Sequence, residues 1–136
     1  MTQEEKDLLL KDLCARLSYG VKCQIQEDEH TYIGTLCRVE IDKKNGHLLD
    51  FVESINYLDC QFYISEVKPY LFPLSSMTEE QIQELESLME VTTIPKWGEV
   101  LSPTPEYYDW LNKNKFDYRG LIPKGLANDA TGLGVY

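Results

Sequence analysis

Apolar residues recur at helical spacing from Leu9 through Leu10, Leu13 and Cys14 to Leu17, while Glu4, Lys11 and Asp12 fall off that stripe. The pattern predicts an opening helix over residues 1–18 with one face turned to a core. Thr2 and Glu5 have the spacing of a capping box, in which each side chain satisfies the other's unpaired backbone donor. Tyr19-Gly20 supplies the glycine that commonly follows a helix end. The period then changes to two. Val21, Cys23 and Ile25 alternate with Lys22, Gln24 and Gln26, the signature of a half-buried strand. Beyond a charged turn at 27–30, residues 32–41 read as a longer strand with Ile33, Cys37, Val39 and Ile41 on one side. Gly34 within it marks a bulge or a close approach. Asn45-Gly46 is a type I′ turn signal. Residues 48–52 read as the returning strand, 54–58 as a shorter one with a turn at Leu58-Asp59, and 62–66 as the last.

Residues 62–81 form the pivot of the chain. They begin as a strand, are broken by Pro69 and Pro73, and end at a second capping box, Thr78 with Gln81. Tyr70, Leu71, Phe72 and Leu74 are too apolar for a free loop, so this segment is expected to lie extended across the core. The helix it opens carries Ile82, Leu85, Leu88 and Met89 on one stripe. Residues 91–104 look like a poorly patterned connector in which Trp97 is docked. Thr104-Pro105 starts a further helix over 106–113, with Tyr107, Trp110 and Leu111 on one face. Residues 116–127 are compact and aromatic, a turn with a short helix, and 128–136 are polar and loose at the end.

These elements predict an α+β chain forming a single domain, 1–136, with a helix at 1–18, a β-rich core at 20–75 and a helical C-terminal part at 78–136. Short strands joined by tight turns suit a small antiparallel sheet curled into an SH3-like partial barrel. A plain antiparallel sheet with helices on one face is the alternative. Nothing approaches the ~20 apolar residues needed to span a bilayer. The opening Met-Thr-Gln-Glu-Glu-Lys does not resemble a signal peptide, so a cytoplasmic protein without membrane partners is expected. Cys14, Cys23, Cys37 and Cys60 lack the close spacing of a zinc or redox motif and read as small buried hydrophobes in a reducing compartment.

The net charge of −10 argues against duplex nucleic acid, whose affinity comes mainly from lysine and arginine on phosphates. That charge belongs to the body of the chain. From residue 105 onward Lys113, Lys115, Arg119 and Lys124 balance Glu106, Asp109, Asp117 and Asp129, so an anion would prefer this end. The acidic body serves either solubility or mimicry of nucleic acid.

Three stretches carry a resemblance. They are Leu8-Leu-Leu-Lys-Asp-Leu-Cys-Ala-Arg-Leu-Ser-Tyr-Gly-Val-Lys22, then Val67-Lys-Pro-Tyr-Leu-Phe-Pro-Leu-Ser-Ser-Met-Thr78, and Asp109-Trp-Leu-Asn112 with Phe116-Asp-Tyr-Arg-Gly-Leu-Ile-Pro-Lys-Gly-Leu126. Together they resemble an uncharacterised family of small proteins of gut anaerobic bacteria, their prophages and their phages, over nearly the whole chain. The resemblance implies a mobile-element setting and, for a phage-encoded protein, the host cytoplasm. In such settings small non-enzymatic proteins modulate the host or its defences. It assigns no activity and no site residue.

Catalytic chemistry finds little support in the sequence. His30 and His47 fall in predicted turns, outside metal spacing and away from any nucleophile. Gly132-Leu-Gly134 has no strand before it and no helix after it, unlike a phosphate loop. The chain therefore reads as no enzyme, with no cofactor and no metal. Binding has more support. Tyr107, Tyr108, Trp110, Phe116 and Tyr118 interleave with Lys113, Lys115 and Arg119, and aromatic faces with nearby cations suit a nucleotide. The candidate ligand-binding residues are Arg119, Tyr118, Lys124 and Trp110. Against this, Tyr107, Trp110 and Leu111 fit a core face, and Arg119 can pair with Asp117. Two readings stand. One is a binder of a small anionic ligand, sequestering a nucleotide-type immune signal as a counter-defence protein, with a homo-oligomer as a natural arrangement for such a sponge. The other is a protein-interaction module whose acidic surface engages a host or phage protein, as a DNA mimic or inhibitor.

Overall fold

A computed structural model describes residues 1–42, 46–52 and 61–136, the side chains of 42, 46–52 and 61 excepted. In chain order the elements are α1 (Gln3–Arg16), β1 (Lys22–Glu27), β2 (His30–Asp42), β3 (Gly46–Val52), β4 (Gln61–Tyr63), β5 (Val67–Pro73), α2 (Glu79–Glu86), β6 (Met89–Ile94), β7 (Gly98–Pro103), α3 (Pro105–Lys113), β8 (Phe116–Asp117) and β9 (Asn128–Asp129). The expected turn at Asn45, the strand at 54–58, the side chain of His47 and the environment of Cys60 lie outside the described residues.

Both capping boxes form. Thr2 Oγ1 accepts from Glu5 N while Glu5 Oε2 accepts from Thr2 N, and Thr78 with Gln81 repeats the exchange. The face α1 buries keeps part of the apolar stripe, with Leu10 and Leu17 half-buried beside it, and adds a charged pair. Leu9, Asp12, Leu13 and Arg16 are all 0 % exposed, whereas Cys14 is exposed. Spacing of three, four and seven residues defines this face. Asp12 and Arg16 occupy it because they neutralise one another there. Gly20, at φ 72°, then closes the helical segment in the left-handed region.

Val21, Cys23 and Ile25 are fully buried, as the alternation predicts. In β2 the inward residue is Leu36, while Ile33 and Ile41 are exposed and Cys37 faces outward. The expected stripe fails because the β2–β3 register shifts between Leu36 and Arg38. The irregularity falls at Cys37 and not at Gly34, which pairs regularly with Cys23. Of the described cysteines only Cys23 is buried.

The larger sheet runs β4-β3-β2-β1-β5-β8, with β9 also on β5. It is open and does not close into a barrel among the described residues, so strand pairing does not bear out the SH3-like curl. The predicted strand at 62–66 is shorter than expected, passing into a 3₁₀ turn at Ile64–Glu66. The pivot segment is β5. It pairs antiparallel with β1 through residues 67–69 and parallel with β8 and β9 through residues 70–73. It thereby joins the N-terminal strands to the C-terminal segment.

Two expectations for the C-terminal part are corrected. Residues 89–103 are a β-hairpin, β6 against β7, rather than a connector, and Trp97 stands at its tip 74 % exposed rather than docked. The helix α2 ends at Glu86, so Leu88 and Met89 do not continue its stripe. Residues 118–127 hold turns and no helix. The tail is anchored rather than loose: the Tyr136 hydroxyl accepts from Lys22 N at 2.9 Å and donates to Tyr70 O at 2.9 Å. No described helix is long and apolar enough to cross a membrane.

Burial makes the fold sensitive to alkali. It pushes the Cys23 thiol well above its ordinary 9.0, with the Asp12 charge adding to the effect. It likewise pushes the Tyr136 phenol well above 10.0. Both groups stay protonated in the fold where the unfolded chain ionises. Their contribution is complete below about pH 9 and is lost as pH rises through the ordinary values toward the folded ones. The urea midpoint is expected to be flat from pH 7 to 9 and to fall above it. Tyr136→Phe, which cannot ionise, flattens the limb above pH 10. It also loses about 1 kcal/mol at neutral pH with its hydroxyl bonds.

Candidate functional site

A charged cluster joins α1 to the C-terminal segment. Arg16 grips Asp12 with Nε at 2.9 Å from Oδ2 and Nη2 at 3.1 Å from Oδ1. Its remaining donors reach the carbonyls of Leu111 and Phe116, the latter at 2.6 Å. Arg119 places Nη1 2.9 Å from the same Asp12 Oδ1, and its guanidinium lies 4.5 Å from the centre of the Tyr118 ring. Tyr118 in turn donates to Asn112 Oδ1. One carboxylate thus serves two guanidiniums, Arg16 fully buried and Arg119 partly so.

Beside this cluster opens a pocket of about 490 Å³. Phe72 of β5, Phe116 of β8 and Tyr136 of the tail give it aromatic walls, and Lys113 and Lys115 give it two amines. Among the described residues its other lining side chains are uncharged, and no Asp or Glu side chain lines it. Local structure places each part. Phe72 pairs with Phe116 across the parallel β5–β8 contact, and its N–H donates to Lys115 O at 2.8 Å. The Phe72 ring centre is 6.1 Å from that of Phe116 and 6.0 Å from that of Tyr136. Lys115 follows the end of α3 with φ 61°, a left-handed conformation in a residue other than glycine. This turns its side chain inward, where Nζ donates to Tyr19 O at 2.8 Å and Lys113 O at 2.7 Å. Burial pushes the Lys115 ammonium below its ordinary pKa, and the positive charges of Arg16 and Lys113 push the same way.

Such a pocket can hold a flat ring against Phe72 or Tyr136 and an anionic group at Lys113. Lys113 is exposed at the end of α3 and brings a mobile point charge, while Lys115 is fixed. Among the described residues no group of three His, Cys, Asp or Glu side chains could hold a metal ion.

The four residues singled out from sequence lie elsewhere. Tyr118 and Arg119 are brought together, but in the charged cluster, and Arg119 pairs with Asp12 rather than Asp117. The Asp117 carboxylate instead accepts from the backbone N–H groups of Leu121 and Ile122. Trp110 stacks on Phe116, with centres 5.6 Å apart and planes 4° apart, as part of a small core with Leu85 and Leu111. Lys124 is exposed on the turn before Gly125. None of the four lines the pocket. Sequence reasoning noticed Lys113 and Lys115 as basic neighbours of the aromatics without choosing them. It missed Phe72 and Tyr136 entirely. The one available signal was Phe72 itself, an aromatic in an extended run between two prolines. No family model, curated protein or solved structure matches the chain.

Proposed function

We propose that the protein is a non-enzymatic binder that sequesters a small anionic ligand carrying a flat ring, of nucleotide type, in the pocket between β5, α3 and the tail. One observation carries this reading. In a chain of net charge −10, this concave site is lined by three aromatic residues and two lysines and, among the described residues, by no Asp or Glu. Rings give stacking area that tolerates different bases, and the exposed Lys113 ammonium selects for negative charge. The resemblance to small phage and prophage proteins fits a counter-defence role in a host cytoplasm. The pocket is walled by one chain's own residues, so the reading needs no second copy.

Isothermal calorimetry against linear and cyclic nucleotides tests it. Binding of at least one ring-bearing phosphate is expected. Lys113→Ala is expected to weaken it about tenfold, or ~1.4 kcal/mol, because an exposed side chain is removed without disturbing the core. Arg119→Ala is expected to leave affinity within about twofold, a change of only ~0.4 kcal/mol, since Arg119 serves Asp12 outside the pocket. Silence across the panel overturns the reading.

A second reading draws on the hairpin. Val91 and Leu101 pair across β6 and β7, yet both are well exposed, as is Trp97 at the tip. An arm with apolar side chains left open suits a protein-interaction module. Silence in calorimetry together with binding to a protein partner that Trp97→Ala abolishes would favour it.

A further inference from the structure

We infer that Lys115 is a capture residue, whose amine forms a reversible imine with the aldehyde of a flat, anionic ring compound held in the pocket. This rests on the pocket reading above and names a ligand class for it. Lys115 is held in a left-handed backbone conformation that residues other than glycine rarely adopt. Hydrogen bonds from Phe72 N to its carbonyl and from its own N–H to Asn112 O fix it there. The result is a half-buried lysine, unlike Lys113 and Lys124, which are exposed.

The environment of Nζ suits a neutral amine. An ammonium has three N–H donors and a neutral amine has two. Two acceptors are in place, Tyr19 O and Lys113 O, and among the described residues no carboxylate bonds to Nζ. Both N–H groups of the neutral form are then satisfied, and one lone pair is left for an electrophile. Burial and the charges of Arg16 and Lys113 favour the same form. Tyr136 and Phe72 give a ring a surface to lie on, with Nζ 5.3 Å from the Tyr136 ring centre. Lys113, two residues away, is placed for the ligand's phosphate or carboxylate.

The chemistry balances without a redox partner. The nitrogen lone pair adds to the carbonyl carbon, and the carbonyl oxygen takes a proton to give a carbinolamine. Nitrogen gives up both its protons over the sequence, the hydroxyl takes the second and leaves as water, and a C=N bond remains. Amine and aldehyde become imine and water, and hydrolysis reverses the step. Such a ligand is held and released unchanged, which suits sequestration.

The alternative is that Lys115 merely satisfies the carbonyl end of the segment after α1 as a cation. Two probes separate these roles: pyridoxal 5′-phosphate, which carries the aldehyde, and pyridoxine 5′-phosphate, which has an alcohol in its place. The alcohol is expected to bind by calorimetry and to compete with the aldehyde. After borohydride reduction and peptide mapping, most of the pyridoxyl adduct is expected on Lys115. Lys115→Arg keeps the cation and its bonds to the carbonyls; it is expected to bind the alcohol and lose that adduct. Lys115→Met provides the same readout should arginine not fit. An adduct spread over the exposed lysines and unchanged in Lys115→Arg, with the alcohol still binding, overturns the inference and leaves the pocket standing. Failure of both probes to bind overturns the inference and removes ring phosphates of this kind from the pocket reading.

Discussion

Asp12→Ala is expected to lower the free energy of urea unfolding by about 3–5 kcal/mol. The substitution strips two guanidiniums of the carboxylate they share. Arg16 is 0 % exposed, and the Arg119 side chain is 17 % exposed. Arg16 would keep the carbonyls of Leu111 and Phe116 and the Tyr118 ring 5.5 Å away, and a buried cation without a carboxylate partner is poorly compensated. Arg119→Ala is expected to cost less, about 1–2 kcal/mol, because the forked Arg16–Asp12 pair survives it. Solvent reaches Arg119 and moderates its contribution further.

The pair can be separated from its burial cost by a double-mutant cycle. Arg16→Met removes the deeper cation and leaves Asp12 with Arg119 as its partner. If the charges are coupled as the geometry indicates, Asp12→Ala costs less in the Arg16→Met background than in the native chain. Equal costs in both backgrounds would mean that Asp12 is not coupled to Arg16 and acts through Arg119 or packing. Asp12→Asn supplies a control of similar shape. It keeps an acceptor for one arginine and should fall between the native chain and Asp12→Ala.

Asp12 also shows where sequence reasoning reaches its limit. Hydropathy ranks positions 10, 14 and 17 above 12 and 16, so it rotates α1 away from its buried face. The spacing of Asp12 and Arg16 holds the missing information, since a charged pair four residues apart can enter a core together. The capping boxes at Thr2 and Thr78 were legible because both partners lie within one turn. The alternation in β1 was legible because no bulge interrupts it. In β2 a register shift near Cys37 turns side chains to the opposite face beyond it. The hairpin at 89–103 was illegible for another reason: its strands are largely exposed on both faces, so no period of two marks them. The pocket depends on contacts between residues far apart in sequence. Phe72, Lys115 and Tyr136 meet because β5 pairs with both β8 and β9, and no local pattern in the chain announces parallel pairing of two-residue strands.

That dependence on β5 leads to the other large expected effect. Leu71→Ala should cost about 2–5 kcal/mol. Leu71 is 0 % exposed, its carbonyl accepts from Ala130 N at 2.8 Å, and it sits in register with Asp129. Truncation opens a cavity where the main core meets the C-terminal segment, and the backbone around it is held by strand pairing and cannot collapse inward easily. Trp97→Ala gives the contrast: a larger side chain is removed, yet at 74 % exposure the expected change is within about 0.5 kcal/mol. The Trp97→Ala background leaves Trp110 as the fluorophore. Trp110 stacks on Phe116 of β8, so its emission reports the C-terminal segment, while far-ultraviolet circular dichroism reports the whole chain. If β5 binds the two parts into one cooperative unit, Leu71→Ala shifts both transitions by the same amount. If Trp110 emission changes at lower urea than the dichroism, β8 and β9 detach first, and the pocket, whose walls they help to build, would be lost while the rest of the chain stays folded.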